Sequence, residues 1–416
     1  MKRVSTDLPN DDLQYYLRRQ EFNLNSIQNK ISAQSKITNL RDDPVAAAHS
    51  VVFKSNISRL KQFLDNAGEI QSRGRVAEAH IQSSISILHR INELAIQGAN
   101  GTFSKQDTAM MAEEVDQLLN ELIEISNSRY GDGTTIFSGD RVLSQAFRTI
   151  TGYIEGSGRA VVTSVEYTGT IKNNNVEISE NSYSESAFPG NSVFWAENQI
   201  LVSSRNAENF FVKEDSSVRV DGVTVELKAG DNIHAVIAKI NDSGAPVKAM
   251  IDPVKNSLYI TTTQPHQIWI EDLGNGTVFQ ETGLIKSNTN QRPPHNIAED
   301  ARISGGSLFD VVIRLRDNLF AGNVLDIGGG SLKGIHDGMN HLMSQAGKLG
   351  TRDERLQIVK NRLDYQIPEI QAMDSRETDI DLAEAIMELK MLDYTHRASL
   401  QTAAKILPPT LLDFLR

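Results

Sequence analysis

The sequence predicts an α+β fold: a long, coiled-coil-like bundle formed by N- and C-terminal helices, with an inserted, mainly β domain. Three observations predict it. Apolar residues recur at helical spacing from Leu13 to Asn127 and again from Ser307 to the end. Between Gly131 and about Gln291, Gly, Asn, Ser and Thr separate short β-branched runs, which reads as strands and hairpins. The order helical, β, helical then favours a hairpin-like chain whose two ends pack together.

The first helix rests on Leu13, Leu17, Leu24, Ile27 and Ile31, with Gln20 and Gln34 on the same seam. An alternating three-four spacing marks a helix packed lengthwise on another. The pattern breaks at Thr38-Asn39-Leu40-Arg41. Asp42-Asp43-Pro44 follows, an acidic cap ahead of proline at the first helical position. The helix it opens is expected to reach about Gln97, with a disturbance between Gly68 and Gly74. Ala77, Ile81, Ile85, Leu88, Ile91 and Ala95 form its stripe. After a turn at Gly98 to Gly101, a helix from Asp107 to Asn127 aligns Met111, Val115, Leu118, Leu122 and Ile125.

Within the β region one unit stands out. Val218 to Val220 and Val223 to Leu227 flank Asp221-Gly222, a two-residue hairpin turn whose positions both tolerate positive φ. Asp231 is expected to cap a short helix carrying Ile233, Val236, Ile237 and Ile240. Strands at Val247 to Ile251 and Leu258 to Thr261 complete a module at 217–285. The last helix carries Leu382, Ile386, Leu389, Leu392, His396, Leu400, Ala403, Leu407 and Leu411 at a mean spacing near 3.6. The predicted domains are therefore 1–41 plus 374–416 as a terminal helical core, 42–140 plus 300–373 as a helical bundle, and 141–299 as the β-rich insertion.

Composition narrows the function. A net charge of −11 repels phosphate, so nucleic acid and anionic membrane are poor partners. Absence of cysteine removes disulfides, thiolate metal sites and cysteine nucleophiles together. No run approaches the roughly 20 apolar residues of a membrane span. Met1-Lys2-Arg3 is basic, but polar residues and Pro9 follow where a signal peptide needs an apolar core.

Signs of chemistry are weak. Val324-Leu325-Asp326-Ile327-Gly328-Gly329-Gly330 is like the glycine loop of a nucleotide-dependent transferase, but that loop works only inside a βαβ unit. Here the residues after it show helical periodicity, so a flexible joint between helices is expected. The nine histidines include no pair at metal-ligand spacing. His396, on the C-terminal stripe, reads first as a partnered interior histidine, with the setting of helix register as the alternative. No nucleophile elbow and no P-loop occurs. The prediction is of no catalytic residue, no cofactor and no metal.

What remains is the terminal helices. Burying an aliphatic side chain contributes about 1.5–3 kcal/mol, whereas ordering each residue costs about 1–2 kcal/mol. A lone pair of such helices is marginal, and neighbouring copies would supply the missing burial. The expected assembly interface is Leu13, Leu17, Leu24, Ile27 and Ile31 with the C-terminal stripe from Leu382 to Leu411.

These residues resemble the flagellin superfamily, in which terminal helices pair to build the core of a tubular filament. Asp42-Asp43-Pro44-Val45-Ala46-Ala47 is similar to the branch that joins hook to filament. So are Ile136-Phe137-Ser138-Gly139, Thr378-Asp379-Ile380-Asp381-Leu382-Ala383-Glu384-Ala385 and the tail Thr410 to Arg416. Leu94-Ala95-Ile96-Gln97 through Thr102 resembles a turn shared by both branches. Val220-Asp221-Gly222-Val223-Thr224-Val225, with Ala229-Gly230-Asp231 and Ile237 to Asn241, resembles the hook IN repeat. The resemblance implies a non-enzymatic subunit at the hook–filament junction, exported by the flagellar secretion system without a cleaved signal peptide. It implies a ring of identical subunits, a hook-associated protein on one side, flagellin on the other, and an export chaperone. The alternatives are a flagellin-type filament subunit and, from another class, an α/β nucleotide-dependent transferase.

Overall fold

The computed structural model describes residues 8–274, 276–286 and 291–406. The predicted interface positions Leu407 and Leu411, and the tail from Thr410, lie outside the described residues. In chain order the elements are α1 (Leu8–Ala33), α2 (Pro44–Ala99), α3 (Lys105–Ser126), β1 (Phe147–Tyr153), β2 (Ala160–Tyr167), β3 (Asn175–Ser179), β4 (Ser182–Glu185), α4 (Gly190–Val193), β5 (Ile200–Asn206), β6 (Ser216–Val220) and β7 (Val223–Leu227). They continue with α5 (Ile233–Asp242), β8 (Val247–Asp252), β9 (Ser257–Thr262), β10 (Ile270–Leu273), α6 (Val278–Thr282), β11 (Arg302–Ser304), α7 (Leu308–Ala321), α8 (Val324–Asp326), α9 (Leu332–Thr378) and α10 (Leu382–Ile406). The fold is α+β, helical at both ends and β-rich between, as the periodicity predicts.

Two compact units result, one of residues up to Asp65 with those from Val359 onward, the other Asn66–Ile358. In the first unit α1 packs along α10, and α2 lies beside α9, where His49 Nδ1 meets Glu377 Oε2 at 3.1 Å. This unit is larger than the predicted terminal domain because it includes the start of α2 and the end of α9. The two helical tracks are interrupted at the same level. Ser35 bridges Asp379 antiparallel, and Lys36 N donates to Thr378 O at 2.7 Å. Gln34 turns the chain there at φ +53. The predicted start of α2 has a clear physical basis: Asp43 Oδ1 accepts from the amides of Val45 and Ala46, both at 3.0 Å, and Pro44 needs no partner at that place.

In the second unit α2 and α9 run antiparallel, with Gln71 Nε2 donating to Gln357 Oε1 at 3.1 Å and Arg75 Nε meeting Asp353 Oδ1 at 3.2 Å. α2 is continuous, so the disturbance expected between Gly68 and Gly74 does not occur: both glycines keep helical geometry within it. α3 and α7 pack on this pair, each opened by a reciprocal cap, Ser104 with Asp107 and Ser307 with Asp310. Their shared core holds Ile81, Leu88, Ile91, Leu119, Leu122 and Leu315. Phe137, Phe147, Phe194 and Phe309 extend it toward the β elements, with neighbouring ring centroids 4.9–5.8 Å apart. Inside this core Arg316, fully buried, meets Asp116 Oδ1 at 2.7 Å and Asp317 Oδ1 at 2.8 Å.

The same unit holds a second, separate core, centred on Leu201, Val218, Val236, Ile240, Leu258 and Phe279. It is built on antiparallel sheets of order β10-β6-β7 and β11-β5-β9-β8. The β6–β7 turn is the expected one, with Asp221 at φ +46 and Gly222 at φ +84. The cap of α5 is not Asp231 but Asn232, whose side chain accepts from Ala235 N at 2.9 Å. Asp231 is drawn away by the Lys239 ammonium and by Lys228 N, so its carboxyl sits below the usual range. The module's main sheet also takes in β5 and β11, which lie outside 217–285.

Candidate assembly surface

A two-helix coiled coil buries one seam and turns the opposite face to water, where polar residues are the rule. In the first unit the seam follows the heptad on both helices. On α1 it is Leu13, Leu17, Gln20, Leu24, Ile27 and Ile31, half-buried or buried. On α10 it is Ala385, Leu389, Leu392, His396, Ser399 and Ala403, again half-buried or buried. Gln20 Nε2 donates to Ser399 Oγ at 3.0 Å across the seam. His396 Nδ1 is buried with no hydrogen-bond partner one turn away. A polar layer of this kind fixes register at some cost in strength.

The sequence-based interface thus divides into two sets. All five α1 positions, with Leu389, Leu392, His396 and Ala403, lie on the intramolecular seam. Ile386 and Leu400 lie on the exposed flank, and Leu382, three residues before Ala385 in the seam series, is exposed at the first residue of α10, all at 43–45% exposure. A mean spacing near 3.6 steps past Ala385 and Ser399, which the alternating three-four spacing includes.

The outward face carries what sequence reasoning passed over. Tyr15 and Phe22 lie seven residues apart on α1, and Met387 and Tyr394 likewise on α10, both pairs at the heptad place opposite the seam. Phe22 is 72% and Tyr394 75% exposed. Met391, Ile386 and Leu400 widen the apolar face of α10, and Tyr16 that of α1. A groove of about 400 Å³ between the helices is lined by Leu13, Tyr16, Leu17, Tyr394, Ala398 and Thr402. On α2 and α9 the same unit exposes Val45, Val51, Val52, Tyr365 and Met373. Scattered exposed apolar residues are ordinary, but here aromatic and Met side chains repeat at the heptad interval on one face of the pair.

Asp42, Asp43 and Pro44 are exposed and do not join this surface. They build the connection between α1 and α2: Asp42 Oδ2 accepts from Thr38 N at 2.9 Å and Asn39 N at 3.0 Å. Those backbone donors hold the Asp42 carboxyl below its ordinary range.

The glycine-rich stretch lies in a helical setting. The stretch Ile327–Ser331 forms a π-helical turn between α8 and α9, so Gly328, Gly329 and Gly330 follow no strand and face no βαβ crevice. The expected loose joint is instead a wound segment anchored by Ile327, which is fully buried. Among the described residues no three His, Asp or Glu side chains gather to hold a metal ion. Among them, too, no helix is long and apolar enough to cross a membrane.

Family models match three stretches of the chain. The bacterial flagellin N-terminal helical region matches residues 4–141, the bacterial flagellin C-terminal helical region residues 332–415, and the flagellin hook IN motif residues 210–264. Flagellin A of Vibrio anguillarum is 24% identical over 424 residues, covering 99% of each chain. The flagellar filament 31.3 kDa core protein of Treponema maltophilum is 33% identical over 123 residues, 30% of this chain and 43% of that one. Among solved structures, flagellar hook associated protein-3 of Legionella pneumophila has a TM-score of 0.47 at 18% identity, covering 78% of this chain and 98% of that one. A putative flagellar hook-associated protein of Vibrio parahaemolyticus has the same TM-score at 14% identity, covering 81% and 100%.

Proposed function

We propose that this chain, which belongs to the flagellin superfamily, is a structural subunit that joins the hook side of a bacterial flagellum to its filament. The observation that carries the reading is the outward apolar face of the terminal helix pair, with Tyr15 and Phe22 on α1 and Met387 and Tyr394 on α10. A helix pair whose own seam is already filled has no internal use for these residues. Copies of the same pair, set side by side, bury them. The groove between Tyr16 and Tyr394 is shaped to take a neighbour's side chains.

Placement at the junction rests on residue pattern. Asp42-Asp43-Pro44 opening α2 and Ile136-Phe137-Ser138-Gly139 after α3 resemble junction proteins more than filament subunits. The expected partners are further copies in a ring, a hook-associated protein on the hook side, flagellin on the filament side, and an export chaperone. A chain without cysteine suits passage through a secretion channel, because nothing in it crosslinks on the way.

The second reading, a filament subunit, is favoured by the full-length likeness to a flagellin. Immunogold labelling of intact flagella separates the two. A single band at the distal end of the hook is expected, and label along the whole filament would overturn the junction reading.

A further inference from the structure

The second unit holds two separate cores, and one short stretch, 264–269, crosses between them. On the bundle side, Lys348 Nζ of α9 donates to Gln264 Oε1 at 3.0 Å. Gln267 N donates to Asn191 O at 3.3 Å, and Trp269 packs against the helical core. On the module side, Ile268 is fully buried in the β core, and its amide donates to Gln199 Oε1 at 2.6 Å. Asp221, at the tip of the β6–β7 turn, grips the same stretch. Its amide donates to Trp269 O at 2.8 Å, and its Oδ1 accepts from Trp269 N at 2.8 Å. Its Oδ2 faces His266 Nε2 at 2.9 Å.

The other nitrogen of that ring, Nδ1, stands 2.7 Å from the carbonyl oxygen of Gln264. A carbonyl and a carboxylate are both acceptors, so each ring nitrogen must bring a proton. The contact is complete only when the imidazole is an imidazolium. Both side chains of the pair are more than nine-tenths buried, where an uncompensated charge is costly and a matched one is held firmly.

We propose that the Asp221–His266 pair is a pH-sensitive latch that fixes the hook IN-like module to the helical bundle through the strap at 264–269. It is closed while the imidazole carries two protons and loosened once it loses one. Burial alone would favour the neutral ring, but the hydrogen bond and charge of Asp221, with the Gln264 carbonyl, outweigh it and raise the His266 pKa. On α9, His341 and Lys348 face the strap. His341 is kept neutral chiefly by burial, against the pull of Ser192 O at 2.6 Å, and the charges of Lys348 and His266 add to that effect. Across the adjoining cavity of about 310 Å³, Glu185 and Arg352 neutralise each other at 2.7 Å. Asp221 is therefore the anion that decides the state of His266.

The direction of the response follows from the raised pKa. The stabilisation is whole below the unfolded value of about 6.5 and is lost as pH climbs through the higher folded value. The latch therefore opens on the alkaline side.

The test uses the full-length chain. Long-range ¹H–¹⁵N spectra report the charge of the His266 ring, and hydrogen exchange from pH 6 to 9 reports the amides of Gln267, Ile268 and Trp269, referenced to amides of α3. An imidazolium persisting above pH 6.5 is expected. Strap protection relative to α3 should fall on the order of tenfold for each unit by which the pKa is raised. His266→Gln, which still donates to Asp221 but carries no charge, should give protection independent of pH. Asp221→Asn, which keeps an acceptor for Trp269 N and tolerates the turn, should return the ring to ordinary titration. A His266 that titrates at or below 6.5, or wild-type protection that tracks the His266→Gln chain across the range, would overturn the latch.

Discussion

Replacing Tyr394 with Asp separates the outward face from the seam on the opposite side of α10. Tyr394 is 75% exposed, so the change should alter the isolated chain by no more than about 0.5 kcal/mol. Between assembled copies the loss is larger. The buried ring contributes about 1.5–3 kcal/mol, and a carboxylate in its place must shed water at a cost of several kcal/mol. A total of at least about 4 kcal/mol weakens each contact about a thousandfold, at 1.4 kcal/mol per factor of ten. Leu392→Asp, two residues earlier on the half-buried seam, should instead damage the helix pair within the single chain. Circular dichroism of the purified proteins should show wild-type helicity for Tyr394→Asp and reduced helicity for Leu392→Asp. Cells carrying either variant should keep hooks, lose filaments and release flagellin into the medium. By the same division Leu389→Asp should follow Leu392→Asp, and Leu400→Asp should follow Tyr394→Asp. Normal filaments from cells carrying Tyr394→Asp, with the protein present at the junction, would refute the assignment of the outer face.

Two other expectations concern the second unit. Arg316→Leu should cost about 3–5 kcal/mol in urea unfolding, because it removes the buried partner of the Asp116 carboxylate and leaves the half-exposed Arg159, whose Nη2 is 2.7 Å away. Joining it to Asp116→Leu should restore most of that stability. A fragment spanning 198–304 should melt cooperatively, since it includes β5 and β11, whereas 217–285 should not, as it lacks the strand carrying Leu201. Calorimetry of the two fragments decides between these outcomes.

How legible the fold was in the sequence depended on how local each determinant is. The α1 seam could be read directly, because large aliphatic residues occupy nearly every heptad place. On α10 a mean spacing near 3.6 leads to Ile386 and Leu400, which stand next to the heptad places filled by Ala385 and Ser399. Adjacent residues of like chemistry also defeated it: Asp231 and Asn232 both suit a helix cap, and the Lys239 ammonium and the Lys228 amide, which hold Asp231, decide which is free to act. β5 joins β9 across more than fifty residues of chain, a pairing that no local period encodes. The charge of His266 depends on one acceptor two residues away and another 45 residues away, so no motif announces it.

The paired interruption of the terminal tracks has a mechanical consequence. α1 stops at Ala33 and α9 at Thr378, and the two ends are stitched across by Lys36 N to Thr378 O and Ile380 N to Gln34 O, at 2.7 and 3.4 Å. A rod with one broken track kinks toward the break and strains the intact one. With both tracks broken at one height, flexing there stretches no helical hydrogen bond in either. The cross-stitches keep the halves in step, so twist passes through while tilt is absorbed.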